Sequence, residues 1–191
     1  MQIDLCNKLI DNDLTREDLL ERIEIRKTSI EDIEDICRTL RKAFDLTSEL
    51  EALFQLKNSK AILSESIKLV DKNTNEIYGL LIFTEYPIQI GSPIQMVEKG
   101  ISQSLEGFKQ VNGHSFIIDE RLRNSGLDKK MLYFNANYLI ENYDFIWIGV
   151  EESLRSKSYW QRLGFVEVFE IPQATFYLMP LSKKFINEYL L

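Results

Sequence analysis

Apolar residues recur along this chain in two rhythms. Short runs alternate or are continuous, as in strands, and longer stretches repeat every three to four positions, as in amphipathic helices. Thr15, with Asp18 three residues on, starts a helix carrying Leu19, Leu20 and Ile23. Glu24 to Lys27 is a short strand. Thr28 or Ser29 then caps a helix, closed by Glu31 or Asp32, whose stripe is Ile33, Ile36, Cys37, Leu40, Ala43 and Phe44. Another helix begins at Thr47 or Ser48, with Leu50, Leu53, Phe54 and Leu56 inward. Ile67–Val70 and Ile77–Phe83 flank the polar cluster 71–75 and read as a hairpin.

Pro87, Gly91 and Pro93 break the next stretch. Ile94 to Phe108 then has Met96, Val97, Ile101, Leu105 and Phe108 at roughly helical intervals, which predicts a helix. Phe116-Ile117-Ile118 is a buried strand. It runs through a polar turn with Arg121, Arg123 and Gly126 into a helix with Leu127, Met131, Phe134 and Tyr138 on one face. Phe145–Val150 is another buried strand. Ser153–Leu163 is a helix ending at Gly164, and Phe165–Glu170 and Thr175–Met179 are strands either side of Pro172. Residues 1–23 read as a helical appendage, packed on the domain or on a second copy. Residues 24–180 form one domain with an insertion at about 86–113, and residues 181–191 form a tail.

Composition narrows the function. The chain has 191 residues, 45% of them hydrophobic, enough for one domain with a proper core. A net charge of −7 argues against nucleic acid as the main partner. Two cysteines, Cys6 and Cys37, make neither a disulfide framework nor a metal site, and one histidine makes no metal cluster. No stretch resembles a signal peptide or a membrane span, so a cytoplasmic protein is expected.

The turn after Ile118 is where an anion would sit. Unpaired N–H groups and a partial positive charge of roughly half an elementary unit mark a helix N-terminus, and Arg121 and Arg123 add full charges. The bland alternative is an ordinary strand-to-helix connection with solvated arginines.

Arg123-Asn124-Ser125-Gly126-Leu127-Asp128 resembles the Arg/Gln-x-x-Gly-x-Gly/Ala turn of the GNAT family of N-acetyltransferases. Tyr159-Trp160-Gln161-Arg162-Leu163-Gly164-Phe165 resembles that family's Phe-Tyr-x-x-x-Gly-Phe segment, one strand later. The resemblance covers about Ser66 to Met179. It implies an α/β (α+β) fold, a central mixed, mostly antiparallel sheet with helices on both faces.

The resemblance also implies a function: acetyl transfer from acetyl-CoA, as co-substrate without a metal, to an amine of a small molecule or peptide. The family's turn binds the pyrophosphate, which maps to Arg123, Asn124, Ser125, Gly126, Leu127 and Asp128. Its central strand bonds the pantetheine arm through main-chain groups, here Phe116, Ile117 and Ile118. Ser153 stands where many members have an Asn that contacts the cofactor arm, and Trp160 where many have a Tyr. Asp128 stands where Gly or Ala is usual. Counting back four residues from Ile118, as several members place a Glu, gives His114. With an ordinary pKa near 6.5, a histidine there suits a general base. The alternatives are a strand-edge histidine with no role in chemistry and, for the whole chain, a non-catalytic GNAT-like module that binds acyl-CoA or acts through protein contacts.

Overall fold

A capping box opens the described chain, which comprises residues 15–85, 93–151 and 157–190 of this computed structural model. The Asp18 N–H donates to Thr15 Oγ1 at 3.1 Å and the Thr15 N–H donates to Asp18 Oδ2 at 3.2 Å. The helix α1 (Arg16–Arg22) therefore starts where the residue pattern places it. It is integral to the domain. Leu19 is 2% exposed within the main core, and Arg22 pairs with Asp71 at 2.7 Å. Residues 1–14 of the expected appendage lie outside the described residues.

β1 (Ile23–Lys27) leads through a 3-10 turn, capped by the Ser29–Asp32 box, into α2 (Ile33–Phe44) and then α3 (Glu49–Asn58). Two inward stripes are narrower than expected. Ile36, Cys37 and Leu40 of α2 and Ala52 and Leu56 of α3 are buried, whereas Ala43, Phe44, Leu50, Leu53 and Phe54 are exposed. Only positions four apart on α3 reach the sheet.

The hairpin of β2 (Ile67–Asp71) and β3 (Ile77–Thr84) turns on Asp71, whose Oδ1 accepts the N–H groups of Asn73 and Thr74 at 2.7 and 3.2 Å. Next come α4 (Pro93–Ser104), β4 (Gln110–Ile118), α5 (Leu127–Leu139), β5 (Phe145–Glu151) and α6 (Lys157–Arg162). The chain closes with β6 (Val166–Ile171), β7 (Ala174–Pro180) and α7 (Lys183–Tyr189). The tail is thus a helix. Ser182 caps it, and Ile186 and Leu190 are buried. α4 ends before Phe108, which, like Met96, is exposed.

The seven strands form one sheet in the order β1-β2-β3-β4-β5-β7-β6. Every neighbouring pair is antiparallel except β4 and β5, which are parallel. That matches the mixed, mostly antiparallel sheet expected. Alternation along the strands separates two apolar layers. Leu69, Leu81, Phe83, Ile146 and Ile148 meet α1, α5, α6 and α7. On the other face Leu80 and Ile82 meet α2 and α3, and Trp147 and Phe176 meet α4.

Candidate functional site

The two central strands part in the middle of the sheet. Along β3, Ile82 faces Ser115 and Phe83 faces Gly113, so His114 is an extra, unpaired residue, a bulge in β4. On its other side β4 pairs with β5 only from Gln110–Phe145 to Gly113–Ile148. Beyond Gly113, β4 is bonded to β3 and β5 to β7, but not to each other. A V therefore opens toward the C-terminal ends of both strands, with His114 at its apex and the main chain of Phe116, Ile117 and Ile118 along one arm. The Trp160 ring, 7% exposed, packs beside that arm, 6.0 Å from Phe116, 5.1 Å from Tyr159 and 5.5 Å from Phe165. Its Nε1–H has no partner among the described residues.

The open end of the V leads to the turn before α5. Asn124 and Gly126 both take positive φ, 60° and 78°, and Gly126 is the N-cap. Ser125 ties the turn together. Its hydroxyl donates to the Leu122 carbonyl and accepts from the Leu127 N–H. The Gly126 and Asp128 N–H groups have no partner among the described residues, so they add to the positive end of the helix. Arg123 is exposed, and Arg16 holds its carbonyl at 2.9 Å. Arg121 is not available to an anion in the turn. Its guanidinium makes two bonds to Asp119, at 2.9 and 3.1 Å, and lies over the Tyr78 ring. Lys129 and Lys130 line a cavity of about 880 Å³ beside Gly126, along α5.

Asp128 does not point to solvent. Its Oδ1 accepts the Lys129 N–H at 2.9 Å and its Oδ2 accepts the Tyr159 hydroxyl at 3.0 Å. An internal carboxylate therefore occupies part of the first turn of α5. Tyr159 packs its ring against the main core and Trp160 while its hydroxyl reaches this turn.

His114 reaches the cleft from the bulge, with Nδ1 2.9 Å from Ser115 Oγ. The residue is exposed to solvent, yet many protein atoms lie around its ring. This crowding removes water from the charged form and lowers its pKa below the usual 6.5.

A second titratable group sits across from it. Glu98 of α4 lies over Gly149 of β5, the first residue beyond the last β4–β5 pair. A Cβ at Gly149 would come within 3.3 Å of Glu98 Oε1 and 2.9 Å of the Phe176 ring, so a larger residue would have to displace that ring and crowd the carboxylate. Glu98 has no hydrogen bond or ion pair among the described residues. Burial alone pushes its pKa up to about 7. The sequence held the signal. Glu98 interrupts the stripe of Ile94, Val97, Ile101 and Leu105 that packs on Trp147, four residues after Ile94 and three before Ile101.

Ser153 lies outside the described residues. Glu49 and Glu51 at the start of α3 are held locally by Arg38 and Arg41 and by Thr47. Among the described residues no group of three or more acidic, histidine or cysteine side chains could hold a metal, and no helix is long and apolar enough to cross a membrane.

No family model matches the chain, and no curated protein matches it in sequence. Solved structures do match. YhbS from Escherichia coli, a GNAT family N-acetyltransferase in complex with CoA, is similar at a TM-score of 0.58 and 19% identity, over 88% of this chain and 86% of its own. The chain has the GNAT fold. FeeM, an N-acyl amino acid synthase from uncultured soil microbes, superposes on this GNAT fold with a TM-score of 0.61 and 17% identity, covering 88% and 94%. The ribosomal-protein-S18-alanine N-acetyltransferase from Escherichia coli gives 0.56 and 13%, covering 84% and 94%. The GNAT fold here thus has acetyl- and acyl-transferases for structural neighbours, one of them holding CoA.

Proposed function

We propose that this protein is an acyl-CoA-dependent N-acyltransferase that moves an acetyl group from acetyl-CoA to an amine of a small molecule or peptide. The observation that carries the reading is the parting of β4 and β5 at the bulged His114, in line with the N-terminus of α5. In this reading the pantetheine arm lies in the V and bonds the main chain of Phe116, Ile117 and Ile118. The pyrophosphate meets the turn from Arg123 to Asp128, where open N–H groups, Arg123, Lys129 and Lys130 supply positive charge. The Trp160 Nε1–H, a donor without a partner among the described residues, belongs to the ring packed beside Phe116 of that arm.

The thioester then lies near the apex, beside His114. Its lowered pKa keeps the imidazole neutral at physiological pH, the form that can accept a proton. As the amine nitrogen attacks the carbonyl carbon, the C–N bond forms and His114 takes a proton from nitrogen. The C–S bond breaks, and coenzyme A leaves as a thiolate that is then protonated. Such positioned proton transfer contributes roughly 10²–10⁴ in rate.

One observation favours a second reading, a module that binds acyl-CoA weakly or not at all: the Asp128 carboxylate already takes a first-turn N–H. A melting curve with and without acetyl-CoA separates the two. A ligand that binds only folded protein raises the melting temperature by mass action. The transferase reading expects a rise with acetyl-CoA and amine-dependent thiol release across an amine panel. No rise at large ligand excess overturns it.

A further inference from the structure

The underside of α4 is more polar than a helix-on-sheet contact requires. Glu98 stands in its apolar stripe without a partner among the described residues. The sheet beneath carries two more orphans. Asn112 and Trp147 are register neighbours on β4 and β5, each 1% exposed, and Asn112 Oδ1 and Trp147 Nε1 have no partner among the described residues. Gly149 follows Trp147 by two residues on the same face, about 7 Å further toward the open end of the V. Buried polar atoms are nearly always bonded, so these two orphans on neighbouring strands, beneath the helix that carries Glu98, mark a place that water or a ligand completes. Only Glu98 is partly open to solvent there.

We propose that Glu98 receives the acceptor: it binds the substrate's ammonium group over Gly149 and takes the first of its two departing protons. The inference rests on the transferase reading above and names its substrate class, a basic alkylamine. Proton balance calls for such a group. An alkylamine reaches the site as R–NH3⁺, with roughly one molecule in a thousand unprotonated at neutral pH. Glu98 as carboxylate accepts one proton and frees the nitrogen lone pair. The nitrogen forms the C–N bond, its second proton passes to His114, and the C–S bond breaks. One of the two protons returns to the coenzyme A thiolate and the other leaves to solvent. Among the described residues few charges compete for Glu98. β5 brings Glu151 to the same face two residues past Gly149, β4 carries His114, and β7 presents the apolar Ala174 and Phe176.

The test compares two acceptors in the full-length protein and in Glu98→Gln, which keeps the side chain's shape. One is a basic alkylamine, and the other an aromatic amine that is already neutral at pH 7. Glu98→Gln is expected to lose about tenfold or more in kcat/KM with the alkylamine, to change little with the aromatic amine, and to keep the KM for acetyl-CoA. An equal loss on both amines, or none with the alkylamine, overturns the assignment and leaves the transferase reading standing. The absence of amine-dependent thiol release from the parent protein overturns both. The melting temperature of the variant, expected no lower than the parent's, excludes misfolding.

Discussion

The Tyr159 hydroxyl donates to Asp128 Oδ2 at 3.0 Å and joins α6 to the first turn of α5. The other oxygen of the same carboxylate accepts the Lys129 N–H at 2.9 Å. Asp128 therefore acts as a built-in anion at the helix end where the proposed pyrophosphate binds, and Tyr159 holds it in place.

Removing that anion is expected to tighten acetyl-CoA binding. A carboxylate about 6 Å from a phosphate, at an effective dielectric of ~20–40, costs on the order of 1–3 kcal/mol. In Asp128→Gly the dissociation constant measured by titration calorimetry should fall by about ten- to a hundredfold. Tyr159→Phe, which frees the carboxylate without removing it, should give a smaller change. A variant that binds no better than the parent rules out competition at this turn.

His114→Gln is expected to remove an acid limb from the pH profile. In the parent, with the neutral aromatic amine that does not call on Glu98, kcat/KM should climb as His114 loses its proton, and the midpoint should lie below 6.5 because crowding disfavours the charged ring. The unfolded chain takes up a proton more readily than the folded one in that interval. Stability from this group is thus full above 6.5 and lost as pH falls toward the folded pKa. A profile unchanged in the variant removes His114 from the chemistry.

Glu98→Gln is expected to stabilise the protein at alkaline pH. The folded pKa of about 7 lies above the ordinary 4.5, so the folded state holds its proton more tightly. The stability this provides is complete below 4.5 and is lost as pH rises through 7. Glutamine avoids the loss. Its advantage should grow between those values and reach about 1–3 kcal/mol above them, allowing for partial solvent access. Melting curves at pH 5 and pH 8 measure the difference. An equal offset at both would mean that Glu98 is not desolvated.

Leu19→Ala is expected to cost about 2–5 kcal/mol, the range for a fully buried leucine. The residue is 2% exposed in the main core, and α1 is held at both ends by Arg16 and Arg22. Denaturant unfolding reads the loss. A value below about half a kilocalorie would return α1 to the role of an appendage.

Local chemistry was legible wherever one turn or one cap decides it. The Thr15–Asp18 box, the hairpin over 71–75, Gly126 at positive φ and the strand-to-helix corner before α5 all depend on residues a few positions apart. Stripes were legible only in part. Leu50, Leu53 and Phe54 satisfy the helical spacing as well as Ala52 and Leu56 do, and only the position of the sheet buries one set and exposes the other. Asp128 and Tyr159, 31 residues apart, carry no shared pattern, and nothing in the order of residues pairs them.

The sequence by itself pointed to the mixed sheet with helices on both faces and singled out the turn before α5 as a candidate anion site and His114 as a candidate base. These follow from periodicity, from glycine's access to positive φ and from motif resemblance. Tertiary structure alone decided which charges reach the site. Asp128 turned to Tyr159, and Glu98 came to rest over Gly149. The physical reason is that a side chain's charge acts over a few ångströms, and those ångströms are set by strands and helices far apart in the chain.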